Sequence, residues 1–103
     1  MTNTQKQAIL IYLDDLAFKG IRLKCNRMYD KNVPACIAGH VAMDLLHKFP
    51  WENYLPATEI LIQAFGISRG EAAGIVRANN KGWIPPEDSI RNYLKLCSVE
   101  EGK

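Results

Sequence analysis

The fold class predicted for this 103-residue chain is all-α, a compact bundle of about five helices, and three observations carry it. The stretch Pro34 to Lys48, PACIAGHVAMDLLHK, is the most apolar helical segment, and its apolar positions cover more than half of a helical circumference. Threonine, serine, glycine and proline punctuate the rest at helical lengths. Strand periodicity occurs once, over five residues and without a mate, and an isolated strand is not stable. With 48% hydrophobic residues and no repeat or linker, residues 1–103 read as one domain with one core.

The first helix starts after Thr2 or Thr4 as N-cap and ends at Gly20. Ile9, Tyr12, Leu13, Leu16 and Ala17 form its inward stripe. Ile11 and Phe18 make a second stripe on the other side, beside Asp14, Asp15 and Lys19. Packing on both sides is the expectation; the alternative is a stripe that waits for a partner, such as a second copy. Ile21 to Cys25 alternates apolar and basic, so Ile21, Leu23 and Cys25 should face the core with Arg22 and Lys24 in water. The polar loop NRMYDKNV leads to the central helix, 34–48. There Ile37, Ala38, Val41, Ala42, Leu45, Leu46 and Phe49 face inward, and Gly39 lets other helices come close.

Trp51 and Tyr54, in the proline-bounded loop FPWENYLP, are expected to close one end of the bundle. Pro56 suits the first turn of a helix holding Ile60, Leu61, Ala64 and Phe65, which Gly66 stops. Ser68 and Glu71 have the spacing of a capping box. The helix they open carries Ala72, Ile75 and Val76 and ends at Asn79-Asn80. Trp83-Ile84-Pro85-Pro86 interrupts the chain, and Pro86 or Asp88 begins the last helix, with Ile90, Tyr93, Leu94 and Cys97 at helical spacing. The tail from Ser98 should fray.

Net charge is +2, too small to imply nucleic acid by itself, but it is unevenly spread. Between Lys19 and Lys31 stand five basic residues and one acid, Asp30; the rest of the chain has eight basic and ten acidic residues. That segment is the candidate partner-binding surface, with Arg22, Lys24, Arg27 and Lys31 supplying charge to an acidic or nucleic-acid-lined face. Three cysteines, an odd count without CxxC spacing, point to reduced thiols in the cytoplasm. The longest apolar run, Ala8 to Leu13, is too short for a bilayer, and MTNTQKQ lacks the pattern of a secretion signal.

Residues 57–79 have what a helix-turn-helix requires: a short helix, Gly66 for the turn, Ile67 between the helices, a capping serine and a second helix. Read as a DNA contact, the hairpin would use Ser68, Arg69, Arg77 and Lys81. Its outward positions Gly70, Ala73 and Gly74 offer base edges nothing. Cys36, His40, Asp44 and His47 fall within about 80° on an ideal helix, but four donors on one straight helix cannot converge on a tetrahedral ion, so no metal site is assigned. Cys36 with His40 or His47 lacks an orienting third group. No phosphate-cradling glycine loop is present. No cofactor is implied, and the chain is read as non-enzymatic.

CIAGH (Cys36 to His40), AFGISRGEA (Ala64 to Ala72) and GWIPP (Gly82 to Pro86), in that order before a short closing helix, resemble a group of small phage and bacterial proteins. Those proteins carry C-I/V-A-G and later L-G-L-S-x-x-E-A. The likeness spans roughly Ala35 to Leu96; the glycine-rich turn before the cysteine is replaced here by MYDKNVP, and Phe65 stands for the usual leucine. The resemblance implies a helical fold and a mobile-element setting, and supplies no activity. By analogy with that setting, the expected function is a small binding protein that docks on a host or defence-complex protein, a nucleoprotein included, as an inhibitor of the anti-CRISPR kind. The alternative is a helix-turn-helix DNA-binding transcriptional regulator. Monomer and homodimer both fit these residues.

Overall fold

The computed structural model describes residues 1–49, 52 and 55–99. The sequence expectations for Trp51, Tyr54 and the end of the tail lie outside those residues. The described elements run α1 (Asn3–Phe18), β1 (Tyr29–Asp30), β2 (Val33–Pro34), α2 (Ile37–Asp44), α3 (Ala57–Phe65), α4 (Arg69–Asn79) and α5 (Pro86–Leu96). The radius of gyration is 12.8 Å, close to the roughly 13 Å of a compact domain this long.

Local chemistry fixes most helix ends. Thr2 caps α1 in a full capping box with Gln5. At the other end Gly20 is left-handed; its N–H donates to Ala17 O at 3.0 Å, and the Ile21 N–H donates to Leu16 O at 2.9 Å. Those two bonds are a Schellman closure, which satisfies carbonyls that the helix end leaves open. Gly66, φ +70, ends α3, while Pro56 sits just before that helix, at the N-cap, and not within its first turn. Ser68 and Glu71 form the second capping box. The Met1 amine also reaches Glu71. Burial alone would raise that carboxyl, but the bonds from Met1 and Ser68 outweigh it and hold Glu71 below the usual carboxylate range.

The core lies where α2 meets its neighbours. Six consecutive residues of α2, Ile37 to Ala42, are buried, so this short helix is covered all round. It packs on α3, α4 and β2, while α4 packs on α3 and α5. Ile9, Leu13 and Leu16 of α1, Ile60 and Leu61 of α3, Ile75 of α4, and Ile90 and Leu94 of α5 supply the other large apolar side chains that are fully buried. Tyr12 and Phe65 meet edge to face at 6.3 Å between ring centroids. The Tyr12 hydroxyl donates to Asp44 Oδ2 at 2.8 Å, and burial first, then that carboxylate, raises its pKa.

Four expectations are corrected. The central helix is shorter than 34–48. After Asp44 the chain unwinds through wide turns (Leu46 N–H to Val41 O, Lys48 N–H to Ala42 O), with His47 left-handed at φ +57. Leu45, outside the regular turns, is 42% exposed, and Phe49 also faces out. A small sheet is present. β1 and β2 pair antiparallel, Tyr29 with Pro34 and Asp30 with Val33, around Lys31-Asn32, both at positive φ. Two positive-φ loop residues make the I′-type turn whose twist matches a hairpin. On α1, Ala17, Ile11 and Phe18 are exposed, so the helix is covered on one side. Gly39 meets a loop and not a helix: a Cβ there would stand 2.0 Å from the Met28 carbonyl oxygen.

Candidate functional site

The segment from Ile21 to Arg27 runs past the end of α4 and the start of α5, extended as far as Lys24 and then bending at Cys25-Asn26, where Asn26 is left-handed. Leu23 is buried, Ile21 and Cys25 are half-buried, and Arg22, Lys24 and Arg27 are exposed. From Ile21 to Cys25 this is the period-two placement that the sequence suggests, since successive side chains of an extended chain point to opposite sides; Arg27 follows the left-handed Asn26 and lies outside that alternation.

What holds an isolated strand in place is side-chain chemistry from the other end of the chain. The Leu23 N–H donates to Glu87 Oε1 at 2.6 Å, and the Asn26 N–H to Asn80 Oδ1 at 2.7 Å. Asn79 is the hub. Its amide nitrogen donates to Lys24 O at 2.9 Å, and its side-chain oxygen accepts from the buried Ile37 N–H at 3.1 Å. Cys36, the N-cap of α2, makes no side-chain capping bond, so Asn79 caps α2 from across the fold. Cys25 Sγ donates to Asn79 O at 3.3 Å. On the other edge the Lys24 N–H donates to Ala35 O, the Ala35 N–H to Met28 O and the Cys36 N–H to Arg27 O, which ties the segment to the hairpin.

The result is a fixed basic edge. Asp30 lies between Lys24 (3.2 Å) and Arg27 (3.5 Å) and neutralises part of their charge. Arg22 and Lys31 make no ion pair among the described residues, and Lys31 stands on the hairpin tip. Beside Arg22 a shallow cleft of roughly 250 Å³ opens, lined by Gly20, Ile21, Pro85, Glu87 and Asp88. The four residues named from sequence therefore share one continuous stretch of surface backbone. The residues that hold it, Asn79, Asn80 and Glu87, were missed. The sequence signals for them are a pair of amides at a helix end and an acid in a first helical turn, which read equally as an ordinary stop and start.

The second set is dispersed by use. The Ser68 hydroxyl accepts from the Glu71 N–H at 3.2 Å, and Arg69 pairs with Glu59 at 3.2 Å. Arg77 and Lys81 line a cleft of roughly 220 Å³ with Ala78, Asn92 and Tyr93. Gly74, expected to face outward, is buried: a Cβ there would stand 2.2 Å from the Tyr93 ring, because α5 covers that side of α4. Burial, then the Cys97 thiol, pushes the Tyr93 hydroxyl up to about 12.

Cys36 is buried, and burial raises its thiol pKa against the amides at the start of α2. A protonated buried thiol is a poor nucleophile. Burial lowers the pKa of His40, leaving a neutral imidazole, with Asp44 opposing that shift. His47 falls beyond the end of α2, so Cys36, His40, Asp44 and His47 do not share one helix. Among the described residues, no three His, Cys, Asp or Glu side chains gather as a metal site would need. No helix among them is long and apolar enough to cross a membrane.

Comparison with protein-family profiles, with curated proteins and with solved structures finds no match for the chain.

Proposed function

We propose that this protein is a non-enzymatic binding protein that docks through its basic edge, Arg22, Lys24, Arg27 and Lys31, on the acidic face of a protein in a host or defence complex, and inhibits it. The observation that carries this reading is the pinned extended segment. Its backbone is held by Glu87, Asn79 and Asn80, so its cations are presented without a large ordering cost on binding. The protonated Cys36 thiol and neutral buried His40 favour binding over nucleophilic chemistry. The likeness of CIAGH, AFGISRGEA and GWIPP to small phage and bacterial proteins supports the setting.

The test begins with affinity capture from the natural host and identification of the captured protein. The double variant Arg22→Glu, Lys24→Glu should then bind that purified protein at least about tenfold more weakly, mainly through slower association, with an unchanged helical spectrum. Unaltered binding removes the basic edge from the reading. The competing reading, a DNA-binding regulator, draws on the α3–α4 hairpin with its capped second helix. It requires duplex binding that weakens steeply with salt and is lost in Arg69→Ala, Arg77→Ala. Absence of any mobility shift at low salt disposes of it.

A further inference from the structure

Between α4 and α5 lies a cleft that shares no residue with the basic edge. It holds roughly 220 Å³ and is lined by Arg77 and Lys81, at and just past the end of α4, and by Asn92, Tyr93 and Leu96 of the α5 region. Glycine makes the room. A Cβ on Gly74 would stand 2.2 Å from the Tyr93 ring and hydroxyl, so the ring rests on bare α4 backbone and forms the floor. Arg77, Lys81 and Asn92 make no side-chain hydrogen bond or ion pair among the described residues, and no acid lines the cleft. Glu71 is the acid whose charge reaches Tyr93, and the Met1 amine and Ser68 N–H hold it.

One exposed cation here would be ordinary, since Arg77 gains from the negative end of the α4 dipole. Two cations and a free amide around one hollow are different. Like charges brought together repel, and an anion set between them relieves that cost.

We propose that this cleft binds a small phosphate monoester, with Arg77, Lys81 and Asn92 on the phosphate and the Tyr93 ring and Leu96 against its organic group. Charge selects the class first. The lining carries two positive charges and no negative one, which suits a phosphate monoester of about −1.5 to −2 near neutral pH. Donor number agrees, because three side chains can meet the three terminal oxygens of a phosphate, whereas a carboxylate has two. Leu96 is 85% exposed, an apolar wall that inorganic phosphate would leave bare. At roughly 220 Å³ the cleft is smaller than the roughly 300–1,000 Å³ that holds a drug-sized molecule, so the organic group is about one ring in size.

Backbone amide shifts of the full chain, titrated with phenyl phosphate at fixed ionic strength, test this. Saturable shifts are expected at residues 74–81 and 92–96, with a dissociation constant of roughly 1 mM. Inorganic phosphate should bind on the order of fivefold more weakly because it leaves Leu96 bare, and benzoate on the order of tenfold more weakly because it has less charge. Arg77→Gln, Lys81→Gln should weaken phenyl phosphate more than about tenfold with an unchanged helical spectrum. Leu96→Ala should erase the advantage of phenyl phosphate over inorganic phosphate. Lys95→Gln, which alters an α5 cation outside the cleft, should change the constant less than about twofold.

Shifts that stay linear to about 20 mM overturn the inference. So does binding that survives the double glutamine variant or that falls equally in Lys95→Gln. Benzoate as tight as phenyl phosphate makes this a carboxylate site and overturns the class. Duplex binding that depends on Arg77 and Lys81, without saturable phenyl phosphate binding, returns those cations to the DNA reading and also overturns it. Arg22→Glu, Lys24→Glu should leave the constant within about twofold, so failure of the proposed docking and failure of this site are distinguishable.

Discussion

Asn79→Ala is the substitution that bears most on how the basic edge is built. It removes the acceptor for the Ile37 N–H and the donor to Lys24 O in one step. The Ile37 N–H is buried, and a buried backbone donor without a partner costs about 1–3 kcal/mol. The Lys24 carbonyl is partly buried and recovers some solvent, so about 1 kcal/mol is assigned to it. Together these give roughly 2–4 kcal/mol. For a domain of this size each kcal/mol moves the melting temperature by about 4–8 °C, so a mid-range loss of about 3 kcal/mol lowers it by about 12–24 °C. Circular dichroism melts measure this directly. Trypsin supplies a local reading, because cleavage after Arg22, Lys24 and Arg27 should speed by on the order of tenfold or more once the segment is released. Asn80→Ala frees the exposed Asn26 N–H and one of the two bonds the Asn79 amide nitrogen donates, and should cost about 1 kcal/mol. If Asn79→Ala melts within about 3 °C of the parent, less than a single kcal/mol would shift it, the hub assignment is wrong.

Other substitutions test the packing. Gly39→Ala should cost on the order of 3 kcal/mol or more, because its Cβ would meet the Met28 backbone, which cannot swing aside as a side chain can. Chemical denaturation that gives less than about 1 kcal/mol would place that loop elsewhere. Leu45→Ala should cost under about 1 kcal/mol, against the roughly 2–5 kcal/mol of a buried leucine. Ser89 is fully buried and its hydroxyl has no hydrogen-bond partner among the described residues. Ser89→Ala should therefore be neutral or stabilising by up to about 1 kcal/mol, and a clear loss would reveal a partner. His40 has a folded pKa below its ordinary 6.5, so below that pH the unfolded chain takes up a proton that the folded chain refuses. Stability should fall as pH drops from 6.5 through the folded pKa, and His40→Gln should flatten that slope in denaturant titrations from pH 7 to 5. Glu71, with its depressed pKa, should add a second loss as pH falls below its ordinary 4.5.

Much of the fold was legible because the signals that stop and start helices act over a few residues. Thr2, Gly20, Gly66, Ser68 with Glu71, and Pro86 each sit at a helix end that they make chemically, through a capping oxygen, a left-handed turn or a fixed φ. The length of α2 was not legible. Apolar spacing continues through Leu45, Leu46 and Phe49, and nothing in that pattern announces a left-handed His47. The hairpin was missed for a related reason: its turn uses Lys31-Asn32, where the commoner signal carries glycine.

By itself the sequence determined a single helical core, the places where its helices begin and end, and a basic stretch from Arg22 to Lys31. Tertiary structure alone decided which faces are covered and what holds the basic stretch still. Asn79 meets Lys24 and Ile37 across 55 and 42 residues of chain, and no local pattern records a bond over that separation. The same holds for Ile11 and Phe18, whose exposure depends on where α3 and α5 pack rather than on any feature of their own helix.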